Sequence, residues 1–186
     1  MYEFVESENK ALLNKADKII KLTKKQKSQI KEMKKLLEKT KGAAAISANQ
    51  LGITDLRAFV CKNGNEITTI INPKITWTSM DDPTEIIQNE TGVIPKSMPM
   101  WEGCLSFPGK NYLITRPYAI KVEYMNEKEV YKNVVLNDQW ARLFCHEIDH
   151  LNGVRVIDKA EEVMDMNDEL PIGYYPIGKT TDDAAH

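Results

Sequence analysis

No apolar run in this chain approaches the roughly 20 residues that a membrane-crossing helix needs. The opening stretch, MYEFVESENK, has no basic cap ahead of an apolar core, so no secretory leader is expected. Cysteine is scarce. Cys61, Cys104 and Cys145 stand at irregular spacing and make a poor disulfide framework. A reducing cytoplasm is therefore the expected compartment. Histidine is equally scarce, with three in the chain. No internal repeat is found, and the formal net charge of −2 excludes a strongly basic or acidic protein.

What is present is ordinary globular chemistry. The 186 residues are 42% hydrophobic and 28% charged, enough to bury a real core. One domain is expected over residues 1–170, with an irregular tail over 171–186. The small net charge hides an asymmetry: residues 1–41 hold twelve lysines against six acidic residues, a balance of +6. Clusters such as KLTKKQK and KEMKKLLEK could attract RNA or another polyanion, or could form a solvated helix face. No aromatic residues are interleaved with them for base stacking, so sequence-specific nucleic-acid binding is not expected.

Residues 24–40 carry Ile30, Met33, Leu36 and Leu37 near a helical period, and Gly42 follows as a stop. Leu12, Leu13, Ile19 and Ile20 suggest a shorter helix over 8–22. The segments LRAFVC, ITTIINP, KITW, AIKVEY and VYKNVVL read as short strands separated by Asn-Gly, Asn-Pro and polar clusters. Strands this short suggest an antiparallel sheet. Residues 79–100 read as a long connection, and WEGCLS as turn-like. A helix is expected over 139–151, where Trp140, Leu143, Phe144, Ile148 and Leu151 form an apolar stripe ending at Gly153. AEEVMDMNDEL suggests a short acidic helix.

The sharpest chemical signal is His146-Glu147-Ile148-Asp149-His150. Residues four apart on a helix share a face, so both imidazoles can grip one cation. Glu147 lies about 100° around the helix from His146 and about 60° from His150. It is badly placed to share the metal and well placed to reach a water there, as a general base would. Two histidines leave a catalytic site one ligand short. Glu161, Glu162 and His186 lie downstream. Cys104 lies upstream, on a turn beside Gly103. Cys145 adjoins His146 but should point away, and Cys61 reads as core.

Three segments resemble the motifs of the peptide deformylase family. EGCLS stands intact at Glu102 to Ser106, and HExDH at His146 to His150, followed by Leu151 and Gly153. The first family motif, GxGxAAxQ, is altered to Ala43-Ala44-Ala45-Ile46-Ser47-Ala48-Asn49-Gln50. INPKI and NYLITRPYAIKVEY are similar to family strands, and the likeness runs from about residue 43 to 158.

The resemblance implies an α+β fold, with antiparallel β-sheets packed around a central metal-binding HExxH helix and an N-terminal helix. It implies one divalent metal per chain, held by Cys104, His146 and His150. Fe(II) would be the working ion, with Zn(II), Ni(II) or Co(II) possible in purified protein. It implies hydrolysis of the formyl group of N-terminal formylmethionine on newly made polypeptides. Glu147 would move the proton, and Gln50 and the Leu105 backbone N–H would stabilise the oxyanion. The substrate would pair as a strand beside Ala44, Ala45, Ile46 and Gly103, with its methionine in a pocket lined partly by Leu143. The ribosome surface is a possible partner; no membrane is expected. Glu102 could be a rim carboxylate or could orient the pocket. Asp149 could support a ligand or pair with an arginine.

The departures bear on substrate choice. Ala43 and Ala45 replace two motif glycines, so they must adopt ordinary conformations or narrow the groove. LNDQWAR lacks the glycine common before the family's helix, and Leu143 is bulkier than many family residues there. Two alternatives remain: a hydrolase of another N-formyl or small acyl substrate, and a non-enzymatic metal-bound binding module.

Overall fold

The computed structural model describes residues 2–64, 66–81, 87–89 and 92–166. Its ten strands are β1 (Ala45–Ser47), β2 (Ala58–Asn63), β3 (Glu66–Thr78), β4 (Ile87–Asn89), β5 (Gly92–Ile94), β6 (Ser97–Cys104), β7 (Phe107–Pro117), β8 (Ala119–Met125), β9 (Tyr131–Asn137) and β10 (Glu162–Asp165). Helix α1 spans Lys24–Lys39 and α2 spans Asp138–Leu151. The architecture is α+β with antiparallel sheets and two α-helices, as expected from the sequence.

A five-stranded sheet runs β1-β2-β3-β8-β9, and a three-stranded sheet runs β10-β7-β6. Strand alternation decides what each face of the larger sheet buries. On β2, Ala58 and Val60 join the cluster of Ile30, Met33 and Leu37 from α1. Phe59 and Cys61 point the other way, into the cluster of Leu143, Phe144, Ile148 and Leu151 from α2. Phe59 meets Phe144 edge-to-face at 5.0 Å between ring centroids. The sheet is thus sandwiched between the two helices, and the histidine-bearing helix lies against its β1–β8 face.

Helix α1 begins with a reciprocal cap. Thr23 accepts from the Gln26 backbone N–H, and the Gln26 side chain accepts from the Thr23 N–H. Helix α2 opens on Asp138 at φ 51, a conformation that favours glycine, at the place where the sequence lacks one.

Several expectations are corrected. Residues 8–22 form no α-helix: Lys10–Leu13 make one 3-10 turn, and an extended arm follows. The arm's backbone groups are taken by distant partners instead. Ala16 N–H donates to Leu151, Asp17 N–H to Thr54 and Ile19 N–H to the Asn72 side chain. Ile20, part of the apparent helical stripe, is 97% exposed. ITTIINP and KITW form the single strand β3, bulged after Ile71, where Asn72 has φ 51. Glu162–Asp165 is strand β10, paired with β7, rather than helix; residues 167–170 of that expected helix and the tail 171–186 lie outside the described residues. The expected connection 79–100 contains the β4–β5 hairpin and the start of β6, and its remaining central residues lie outside the described ones. The Ser79 hydroxyl donates to the Lys96 carbonyl at 2.6 Å, which pins its two ends together.

Candidate active site

The segment WEGC is the end of strand β6, and only after Cys104 does the chain turn. Strand alternation places Glu102 and Cys104 on the buried side and Gly103 on the exposed side. The helical period does the matching work on α2. Arg142, His146 and His150 recur every four residues, so all three face β6. The ligand atoms of Cys104, His146 and His150 then lie within 4.8 Å of one another, all buried. Cys104 Sγ is 3.3 Å from His150 Nε2. Cys145 and Cys61 belong to the core on the other side of α2. Burial pushes their thiols up to about 11 and about 12 respectively.

Glu102 is the fixed point of the site. It is 1% exposed and accepts from Arg116 Nε at 2.5 Å and Nη2 at 2.9 Å, and from Arg142 Nη1 at 2.6 Å. Its second oxygen meets His146 Nδ1 at 2.8 Å. Burial alone would raise its pKa, but Arg116 and His146 hold the carboxyl well below its ordinary range. With Nδ1 engaged by the carboxylate, His146 presents Nε2 to the cluster, an orientation common to metal-ligating histidines. Asp149 pairs with Arg116 at 2.7 Å and Lys159 at 2.9 Å, so it reaches the cluster only through Arg116.

The two glutamates of the site have opposite surroundings. Glu147 is buried and, among the described residues, no cationic side chain bonds to it and one of its oxygens has no partner. Burial pushes its pKa up to about 7, although His146 and a Ser47 hydrogen bond pull it partly back. Burial opposes charge on both histidines. Cys104 and Glu102 outweigh it at His146 and raise that pKa, whereas His150, also facing His146 and Arg116, is held well below its ordinary value.

Gln50 sits in a 3-10 turn, Ala48–Leu51, that follows β1. Its Oε1 accepts from the Ser47 N–H at 2.9 Å and hydroxyl at 3.2 Å. The amide is thereby oriented, and its Nε2 points at Cys104 Sγ, 3.7 Å away. Beside these groups opens a cavity of about 390 Å³. Ala44, Ala45, Gly103, Leu105, Leu143, Gln50 and Glu147 all line it. Ile46 does not: its side chain is fully buried on the α1 side of the sheet. His150 lies behind the wall. Ala43 and Ala45 have none of the positive φ angles found in the described residues, so they take ordinary conformations; both line the cavity, and their side chains are otherwise buried, Ala43 in the α1-side core and Ala45 in the α2-side core.

Among the described strands, β1 pairs only with β2, which leaves its cavity-facing edge unpaired. The Ala44 carbonyl accepts from Lys62 N–H, so by alternation the amide and carbonyl of Ala45 face the open edge. Sequence reasoning missed Arg116, Arg142 and the Ser47 hydrogen bonds, and also Met166, which lines the cavity from beyond β10. Only Arg142 left a signal, one helical turn ahead of His146.

A family model for polypeptide deformylase matches residues 1–165. The chain belongs to that family. A peptide deformylase of Thermotoga petrophila is 41% identical over 114 residues, covering 61% of this chain and 60% of that protein. One from Thermoanaerobacter sp. is 33% identical over 130 residues, covering 70% of this chain and 68% of that protein. The first of these matches thus spans less than two thirds of the relative's length. The crystal structure of peptide deformylase from Thermotoga maritima superposes with a TM-score of 0.73 at 32% identity, covering 87% of this chain and 99% of that one.

The donor set fits a divalent metal. One thiolate and two imidazoles suit zinc and similar ions. Their ligand atoms gather within 4.8 Å of one another, and His146 already has the carboxylate partner such ligands use. Replacing Glu102 with Gln leaves Arg116 and Arg142 short of a buried counter-charge. Glu102→Gln is expected to destabilise the fold by about 3–5 kcal/mol and to weaken zinc binding by about 10–100-fold. Denaturant melts and a chelator competition titration measure the two effects; unchanged zinc affinity would remove Glu102 from the site.

Proposed function

We propose that this chain is a metal-dependent hydrolase that removes the formyl group from the N-terminal formylmethionine of newly made polypeptides, with residues 1–170 as its catalytic domain. One observation carries the reading. Cys104, His146, a buried Glu147 and an oriented Gln50 amide line one cavity beside an open strand edge, with His150 completing the Cys/His/His cluster behind its wall. A structural metal site would need neither Glu147 nor Gln50.

When bound, a divalent metal at Cys104, His146 and His150 of the HExxH helix supplies Lewis-acid polarisation and lowers the pKa of an attacking water. The other steps belong to the chain. The substrate lies along the β1 edge, its backbone paired with Ala45 and approached by Gly103. Its methionine enters the cavity beside Leu143. Glu147 takes the proton of the water whose oxygen bonds to the formyl carbon. Gln50 Nε2 and the Leu105 backbone N–H donate to the oxyanion. The formyl carbon–nitrogen bond then breaks, Glu147 delivers its proton to the leaving amine, and formate and a free N-terminus result.

Fe(II) is our assignment for the working ion, on family resemblance; the ligand set alone would accept zinc more readily. Ala43 and Ala45, which line the cavity where the family motif has glycines, favour one competing reading, a different N-formyl or small acyl substrate. Anaerobic Fe(II)-loaded protein is expected to release formate from formyl-Met peptides faster than from other formyl peptides. Glu147→Gln should keep the metal and lose about 10²–10⁴ in kcat. Faster turnover of another formyl peptide would favour the competing substrate. Full metal content with no formate release would leave a binding module.

We place the enzyme in the cytoplasm, working on chains at the ribosome surface; no helix among the described residues is long and apolar enough to cross a membrane. Lys24, Lys27, Lys31 and Lys35 recur along the exposed face of α1, whose end leads through Lys41 to the cavity mouth. This stripe suits a phosphate backbone. Reversing the four charges should weaken cosedimentation with ribosomes at low salt and leave small-peptide turnover unchanged. Undiminished cosedimentation would make the stripe a solvated face only.

A further inference from the structure

The N-terminal arm over residues 2–22, which includes the 3-10 turn Lys10–Leu13, touches both halves of the catalytic cavity's framework. Asn49, the neighbour of Gln50, is fully buried. Its Nδ2 donates to two arm carbonyls, Ala11 at 3.0 Å and Asn14 at 2.7 Å. The arm reciprocates, since Val5 N–H donates to the Gln50 carbonyl at 2.9 Å. Further along, Ala16 N–H donates at 2.9 Å to the carbonyl of Leu151, the residue after His150. Between these links the Leu13 carbonyl crosses Gly153 so closely that a Cβ there would stand 2.5 Å from it. The arm is therefore a strap from the Gln50 turn to the end of the histidine helix.

We infer that Asn49 is a positioning residue, which holds the Gln50 amide on the cavity by fastening its turn to the N-terminal arm. The inference rests on the reading of Gln50 as an oxyanion donor. A single 3-10 turn has poor internal hydrogen-bond geometry and little rigidity of its own. The turn over Ala48–Leu51 must take its position from outside, and Asn49 and Val5 supply bonds on either side of the Gln50 side chain. Asn49 Oδ1 is buried and has no hydrogen-bond partner among the described residues. An apolar residue of the same size would avoid that cost, so packing alone does not account for an amide here. Its two N–H donors are what the position uses. The sensitivity follows from geometry: a displacement of about 1 Å in a catalytic group can cost about 10²-fold in rate.

A double-mutant cycle separates positioning from general support. The metal-loaded full chain, Asn49→Leu, Gln50→Ala and the double variant are compared on one formyl-Met peptide. Asn49→Leu should lower kcat by about 10-fold or more with KM within about 2-fold, and should cost under about 2-fold further once Gln50 is Ala. Val5→Pro removes the N–H that bonds the Gln50 carbonyl and leaves Asn49 in place, and it should repeat the pattern should Asn49→Leu fold poorly. Equal losses in both backgrounds, or a lower Tm with unchanged kcat, would overturn the inference. Hydrogen exchange gives a readout independent of turnover. The Gly52 and Ile53 amides, which donate to Asn49 and Ala48 at 3.1 Å each, should exchange faster in Asn49→Leu while the α2 amides do not. Wild-type exchange at those two amides defeats the positioning role whatever the activity. A wild-type protein that releases no formate defeats the deformylase reading instead.

Discussion

A single buried carboxylate organises this protein's site. Glu102 carries its charge in the interior, where an unpaired ion is expensive. Arg116, Arg142 and His146 compensate it at hydrogen-bonding distance. Those partners come from β7 and from two successive turns of α2, while Glu102 itself belongs to β6. One ion therefore locks the three-stranded sheet to the histidine helix. Cys104 is two residues further along β6, and His150 one turn further along α2. Their 3.3 Å approach follows from the same lock. The network also explains why Asp149, inside the HEIDH segment, faces Arg116 rather than the cluster.

The same chemistry appears inverted at Glu147. Two glutamates lie near one cluster, one surrounded by cations and one without a bonded cation, and their proton affinities are driven in opposite directions. Environments that split like groups apart suit one of them to a permanent charge and the other to proton exchange near neutral pH. The open edge of β1 completes the arrangement. Among the described strands it is unpaired, and it borders the cavity that Glu147 and Gln50 also line. The Gln50 amide is aimed by Ser47 on its oxygen side, so its N–H side is left for the cavity.

Much of this was readable in the sequence, for definite reasons. His146 and His150 declare themselves through helical spacing, a local property. The choice of Cys104 came from a motif resemblance, and strand alternation across Glu102-Gly103-Cys104 gives its physical basis. The elements misread were those decided by distant partners. Leu12, Ile19 and Ile20 imitate a helical stripe, yet the arm's N–H groups are claimed by Leu151, Thr54 and Asn72, and so it stays extended. Glu162–Asp165 looks like an acidic helix until β7 offers it an edge. The bulge at Asn72 and the Arg116 partnership have no local signature, because each depends on which strands become neighbours. Glu102 could be read as rim or as orienter, and only its burial decides between them.

In the proposed metal site Cys104 joins the two histidines around one ion. X-ray absorption spectroscopy of the zinc-loaded protein measures this most directly. One sulfur at about 2.3 Å and two imidazole nitrogens at about 2.0–2.1 Å are expected, with a light atom in the fourth place. A zinc shell with no sulfur, or with two, would contradict it.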